Sequence, residues 1–277
     1  MRRITLTWED TKSGSLILVT PKYGLSEAGR PKALCRVRQN GTSVLGRYAA
    51  PDSQTEDAAK DRGILLEKET AAMLLGLLSQ IRSEDRITLV SGYRSREEQV
   101  QIWEDTLEKE GEAFTRTYVA KPGHSEHESG LAVDLAESQE EIDFICPQFP
   151  REGICGEFRK KASHWGFTER YLAGKESVTG IGEEPWHFRY VGLPHSMAME
   201  QEGMILEEYL SFLKESTSPN CPYLSFGPEE GTCTEIFYLS MEKGKERRFS
   251  WPETAKVWFS GTNEGGIVGC RQRSIYG

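Results

Sequence analysis

Ser125-Glu126-His127-Glu128-Ser129-Gly130-Leu131-Ala132-Val133-Asp134 joins two kinds of sequence. A loop rich in Gly, Ser and His runs into an apolar strand, Leu131-Ala132-Val133, and that strand closes on a carboxylate. A buried carboxylate without a partner is very costly, so Asp134 calls for a cation or a metal beside it. A second segment of the same kind is Glu184-Pro185-Trp186-His187, which heads the alternating run Trp186–Val191.

His127, Asp134 and His187 together form a His₂Asp set with a fourth position open. That is the ligand pattern of a catalytic zinc site, since a structural site is closed by four protein ligands. Zinc there lowers the pKa of water to about 7. Glu184 stands three residues before His187, close enough to move a proton without ligating the metal. The other histidines are set aside. His124 is expected to face away from the ligands, His164 to be structural, and His195 to sit in a turn after Pro194. Trp186 is read as a wall of the site or as core, and Tyr93 and Arg189 as supports.

The segments flanking this centre alternate between helix and strand signals. Leu16–Val19 and Ile87–Val90 are strand candidates. Glu67–Arg82 carries Ala71, Leu74, Leu75, Leu78 and Ile81 at helical spacing. Ser95 and Glu98 have capping-box spacing for a second helix that ends near Gly111, with Val100, Trp103 and Leu107 as its apolar face. Ser138 and Glu141 suggest another box, opening a helix near Ile142–Cys146. Phe158–Trp165 and Leu206–Leu213 are further helices, and Arg47–Asp61 reads as a connecting loop. Thr217-Ser218-Pro219-Asn220 is the best linker. Beyond it lie four short strand candidates, Glu235–Ser240, Arg247–Trp251, Val257–Ser260 and Ile267–Arg271. The expected organisation is a catalytic body over 1–216 and a small β-rich unit over 217–277.

Composition narrows the class. The 277 residues carry a formal net charge of −9, with 11 Phe, 10 Tyr and 6 Trp, which is the composition of a globular chain. A nucleic-acid surface needs clustered Lys and Arg, and the only dense basic run, Lys243 to Arg248, is short and interrupted. No apolar run approaches the ~20 residues of a membrane span. No apolar stretch follows Met1-Arg2-Arg3, so a secretory signal is not expected. The six Cys show no Cys-x-x-Cys spacing, which fits free thiols in a reducing cytoplasm.

Three motifs together resemble the zinc D-alanyl-D-alanine peptidases of the vancomycin-resistance type, the VanY/VanX/VanXY group. They are Ser91-Gly92-Tyr93-Arg94-Ser95 with Gln99, Ser125-x-His127-x-x-Gly130-x-Ala132-x-Asp134, and Glu184-Pro185-Trp186-His187-Phe188-Arg189-Tyr190-Val191-Gly192. Ile145-Cys146-Pro147 and Leu193-Pro194-His195-Ser196 look like the cytosolic bifunctional VanXY subgroup, and the C-terminal extension looks most like its VanG-type members. The resemblance spans about residues 60–215. It implies an α+β fold, an antiparallel sheet with flanking helices of the D,D-peptidase or hedgehog-like kind. It implies zinc held by His127, Asp134 and His187, Glu184 as catalytic base, and Arg94 at the oxyanion. Ser125 and Gln99 match substrate-pocket positions, or instead serve as cap or loop hydrogen bonds. The implied partner is a small peptide, D-Ala-D-Ala or a precursor pentapeptide, whose cleavage supports glycopeptide resistance. Neither nucleic acid nor membrane is expected as a partner, and the oligomeric state is left open. Ser91 stands where some dipeptidase-active relatives carry an acid, which shifts the expectation toward longer, N-acylated substrates unless another acid, such as Glu137, takes its place. The alternatives are an L,D-endopeptidase on the same scaffold and a zinc-bearing binding module without catalysis. Glu184 argues against the second, because a structural site has no need of a base.

Overall fold

The computed structural model describes residues 1–38, 63–83, 85–226 and 232–274. The strands are β1 (Arg2–Leu6), β2 (Leu34–Val37), β3 (Ile64–Glu67), β4 (Ile87–Ser91), β5 (Ala132–Glu137), β6 (Phe167–Tyr171), β7 (Glu184–Tyr190), β8 (Tyr223–Phe226), β9 (Thr232–Ser240), β10 (Arg247–Trp251), β11 (Lys256–Gly261) and β12 (Gly266–Ser274). The helices are α1 (Lys68–Gln80), α2 (Arg96–Tyr118), α3 (Gly153–Ala162), α4 (Glu176–Thr179), α5 (His195–Glu202) and α6 (Leu206–Ser216). Arg47–Asp61 lies outside the described residues.

The sheet that carries the site has the order β4-β5-β7-β6, every pair antiparallel. Strand alternation sends Val133, Leu135, Phe188 and Tyr190 into one apolar core, where they meet Leu74 and Leu77 of α1 and Phe158 of α3. The opposite face keeps Asp134, His187 and Arg189. The helix α1 begins where Glu67 Oε2 accepts the N–H groups of Glu69 (2.8 Å) and Thr70 (3.1 Å), two donors left free by the first turn. The Ser95/Glu98 capping box at the head of α2 is present in both directions.

Two irregularities in this sheet place chemistry. Residues three apart on a regular strand point to opposite faces, so Glu184 and His187 could not meet. Between Glu169 and Tyr171 of β6, the facing β7 runs from Phe188 to Glu184, four residues against two. That bulge re-aims Glu184 toward the face of His187. The second irregularity lies between Leu89 and Ser91 of β4, where one added residue sets Ser91 opposite Asp134.

The C-terminal sheet has the order β11-β12-β9-β8. The N-terminal β1 pairs with β10, Ile4 facing Phe249. A second core joins Leu16, Leu18 and Val191 with Tyr209, Leu210 and Leu213 of α6 and with Ile236, Val268 and Cys270 of the C-terminal sheet. The segments on either side of residue 216 therefore share one apolar cluster. The six cysteines are all unpaired. Among the described residues no helix is long and apolar enough to cross a membrane.

Several local expectations are corrected. Leu16–Val19 is buried as expected but is not a strand. Its backbone is satisfied by other groups, with Leu16 N–H donating to Ser260 Oγ and Leu18 N–H to Thr262 O. Ile142–Cys146 is not helical. There the Asp143 carboxylate accepts the N–H groups of Ile145 and Cys146, a local turn that competes with a helix. The helix α2 passes Gly111, whose φ of 81° breaks the helical geometry, and resumes to Tyr118. Its buried positions are Gln99, Ile102, Thr106 and Thr115, while Val100 and Leu107 are exposed. The buried threonines return their hydroxyls to Ile102 O and Gly111 O, which lets a polar stripe be buried. Asp134 falls inside β5 rather than at its end, and β6 and β8 were not foreseen.

Candidate active site

Three elements bring the ligand set together. Asp134 and His187 are direct cross-strand partners on β5 and β7. His127 comes from the single turn Glu126–Ser129 ahead of β5, which ends on Gly130. Gly130 has a φ of 71°, a conformation that suits glycine, and its carbonyl accepts the Glu67 N–H at 2.9 Å. The ligand-type atoms of His127, Asp134 and His187 all lie within 4.8 Å of one another, and all three residues are buried.

Each imidazole presents one nitrogen to Asp134 and the other to a separate group. His127 Nε2 lies 3.1 Å from Asp134 Oδ2, while its Nδ1 lies 2.7 Å from Gly92 O. His187 uses the opposite nitrogens. Its Nδ1 lies 3.0 Å from Asp134 Oδ1, and its Nε2 lies 3.3 Å from Glu126 Oε2. Burial and the nearby Arg94 guanidinium push His127 below its ordinary range, which favours the neutral imidazole a metal needs. Burial acts to raise Asp134, but the hydrogen bonds and charges of His127 and His187 outweigh it and hold the carboxyl well below the usual range. For His187 burial acts downward, and its hydrogen bonds to the Asp134 and Glu126 carboxylates lift it to about 9. Two imidazoles and a carboxylate, each oriented by a second partner, are a donor set that suits a divalent metal of the zinc kind.

Glu184 and Arg94 flank this set. Glu184 Oε2 stands 3.5 Å from His187 Nδ1, and burial together with the Asp134 charge pushes its pKa up to about 8. Arg94 is held by Ser91, which accepts from Nε at 2.8 Å, and by Asp134, which accepts from Nη2 at 2.9 Å. The polar groups line a cavity whose apolar walls include Ile102, Val119, Ile145 and Trp186. Ser125 and Tyr171 also face it. Gln99 lies one layer back, with Nε2 donating to the carbonyl of Ala120, a wall residue, at 2.8 Å. Its Oε1 is buried without a partner.

The remaining histidines stay outside this centre. His124 Nδ1 lies 2.7 Å from Thr20 O, and His164 is next to the Ser163 hydroxyl. His195 is not in a turn but opens α5, fully buried against Tyr209 and Cys270. Sequence reasoning passed over Glu126, which occupies an open position of the Ser-x-His motif. A charged residue next to a ligand in a buried loop was the available signal.

The comparisons with known proteins concern the chain and its fold. The model of the VanY family, D-alanyl-D-alanine carboxypeptidase, matches residues 63–193. The bifunctional D-Ala-D-Ala dipeptidase and D-Ala-D-Ala carboxypeptidase VanXYC of Enterococcus gallinarum is 41% identical over 157 residues, covering 56% of this chain and 83% of that protein. The chain belongs to the VanY family. The VanY-family likeness extends over the whole chain in one solved structure. This is the vancomycin-resistance D,D-dipeptidase VanXYg in complex with a D-Ala-D-Ala phosphinate analogue, with a TM-score of 0.85 and 39% identity over 98% of this chain and 99% of that one. A vancomycin-resistance D,D-pentapeptidase VanY from a VanB-type cassette, solved in complex with Zn(II), matches with a TM-score of 0.52 and 25% identity over 71% of this chain and 98% of that one. The α+β fold and the extra C-terminal β-sheet agree with the sequence reading.

Proposed function

We propose that this chain is a zinc D,D-peptidase that removes terminal D-Ala from peptides ending in D-Ala-D-Ala, as an activity supporting glycopeptide resistance. The observation that carries the proposal is the buried His127–Asp134–His187 set with Glu184 3.5 Å from one ligand and Arg94 beside another. Zinc held by His127, Asp134 and His187 would supply Lewis acidity at the scissile carbonyl and make water easier to deprotonate. Glu184 accepts the proton of the attacking water and delivers it to the leaving amine nitrogen of D-Ala. One water is consumed as a C–O bond forms and the C–N bond breaks. A carboxyl group poised near neutrality suits both transfers. The Arg94 guanidinium, oriented by Ser91 and Asp134, meets the oxyanion that develops on the carbonyl. The Ser125 hydroxyl faces the substrate carboxylate, and Gln99 shapes that wall through Ala120.

The structure also bears on substrate length. A second groove, between α2 and residues 140–145, adjoins the metal cavity and shares Ile102 and Ile145 with it. It gives room for the chain of a longer substrate. Ser91 is engaged by Arg94, so no acid at that position serves the ammonium of a free dipeptide. Carboxypeptidase action on N-acylated peptides is therefore the main activity proposed. The six unpaired thiols favour a reducing cytoplasm as the place of work.

The test measures D-Ala release from free D-Ala-D-Ala and from an N-acylated peptide ending in D-Ala-D-Ala, with and without zinc. The expected result is zinc-dependent release that is faster on the acylated peptide. Full activity in the metal-free protein would refute the mechanism, and faster cleavage of the free dipeptide would refute the substrate preference.

A further inference from the structure

We infer that Glu126 is a positioning residue for the metal centre, and that through Arg189 it ties the ligand His187 to the C-terminal sheet. The inference rests on the metal-site reading above.

Glu126 is a carboxylate with no exposed side-chain surface. Its Oε1 accepts from Arg170 Nε at 2.9 Å and from Arg189 Nη1 at 2.8 Å. Arg170 is in turn held by both carboxylate oxygens of Glu207 on α6, at 2.9 and 2.6 Å. Two carboxylates and two guanidiniums close the charge balance within a buried cluster. Packing alone gives no reason for this arrangement, because apolar residues of similar volume commonly serve as well or better. Its effect on Glu126 is specific. Both guanidiniums converge on Oε1 and leave Oε2 to face His187 as an acceptor. An ionised carboxylate can only accept. With a metal held by Asp134 and Nδ1, the one proton of the neutral His187 ring belongs on Nε2, where Glu126 Oε2 accepts it. Gly92 O does the same for His127 with the nitrogens reversed.

Arg189 carries the connection outward. Its Nη2 donates to Ser15 O and to Ile17 O, both at 2.9 Å. The same backbone segment is gripped from the other side by the end of β11 and the turn after it. Ser260 Oγ accepts Leu16 N–H at 2.9 Å, Thr262 O accepts Leu18 N–H at 3.1 Å, and Asn263 Nδ2 donates to Leu18 O at 2.9 Å. Asn263 holds a left-handed backbone, φ 63°, to do so. An unbroken hydrogen-bonded path therefore runs from the C-terminal sheet through residues 15–18, Arg189 and Glu126 to His187. It gives the 217–277 unit a task in the catalytic body: fixing the orientation of a metal ligand.

The decisive measurement is the tautomer of His187, read from imidazole ¹⁵N–¹H correlations of the zinc-loaded wild-type protein. The proton is expected on Nε2, and a proton on Nδ1 would overturn the inference. Zinc affinity is measured alongside, by competition with a chelator. Glu126→Gln is expected to bind zinc about 10- to 100-fold more weakly, because its amide turns Oε1 to the guanidiniums and offers N–H groups to His187. Asn263→Ala, far from the ligands, is expected to weaken zinc about 2- to 30-fold, and to add little in the Glu126→Gln background. Wild-type affinity in Glu126→Gln would overturn the positioning role, and wild-type affinity in Asn263→Ala would overturn the link to the C-terminal sheet. A wild-type chain that binds no zinc would instead sink the metal-site reading itself, and the inference with it.

Discussion

His195 is expected to make this protein sensitive to mild acid at a place outside the candidate metal site. The imidazole opens α5 and is 2% exposed. Its Nδ1 lies 2.9 Å from the Tyr209 hydroxyl on α6, and its Nε2 lies 3.4 Å from Cys270 Sγ on β12. Among the described residues no charged side chain is paired with it, and burial alone lowers its pKa from 6.5 to about 3. Above pH 6.5 the group is neutral whether the chain is folded or not, and the full stability is present. Below that, the unfolded chain takes up a proton that the folded chain refuses, so stability falls as pH falls until the folded pKa is reached. The slope is about 1.4 kcal/mol per pH unit, so the loss from this one group at pH 5 is about 2 kcal/mol. His195→Gln keeps a polar group of similar reach and removes the titration. Urea unfolding followed by tryptophan fluorescence at pH 7.5 and pH 5 gives the stability difference for each protein. The difference should be about 2 kcal/mol smaller in the variant. Equal losses in the two proteins would show that His195 does not hold a neutral buried state.

Glu184→Ala should retain its metal, measured by elemental analysis, while kcat falls by about 10²- to 10⁴-fold. Arg94→Ala should lower kcat/KM by about 10²- to 10³-fold, with the loss concentrated in kcat, because the guanidinium acts on charge that develops in the transition state. A loss confined to KM would contradict that role. Gly76→Ala should lower stability by about 1–3 kcal/mol, since an added methyl group would overlap the Trp165 ring. The drop should appear in Tm, with kcat unchanged.

The candidate ligands were legible because their chemistry sets them apart from packing. His127 in a Gly/Ser loop and Asp134 in an apolar strand have no cheap role in a core, and the motifs around them belong to a recognisable family. What placed Glu184 beside His187 was not legible. The spacing of three suggested proximity, but strand alternation forbids it, and only the bulge opposite β6 resolves the conflict. The orientation of α2 was misjudged for a related reason. Its most apolar stripe, Val100 to Leu107, is turned outward because the inner face is set by the cavity wall at Ile102 and by threonines that satisfy their own hydroxyls. Leu16–Val19 looked like a strand because burial and strand formation leave the same apolar signature. Nothing local announces that the partners of its backbone are Arg189, Ser260 and Asn263, two of them more than two hundred residues away. Glu126 was hidden for the same reason: its guanidinium partners lie on β6 and β7.

The pairing of β1 with β10 has a bearing on how the protein comes into being. Residues 2–6 are made well before the strand that accepts them, which lies about 240 residues further along the chain. At 5–20 residues per second the wait is on the order of ten to fifty seconds. Throughout it, Ile4 and Leu6 lack the C-terminal side chains that cover them, among them Phe237, Leu239 and Ile267. The same delay applies to the turn at 260–263 that grips Leu16 and Leu18. The nascent chain thus carries an unpaired strand through most of its synthesis, with an edge that β10 alone covers in the fold described.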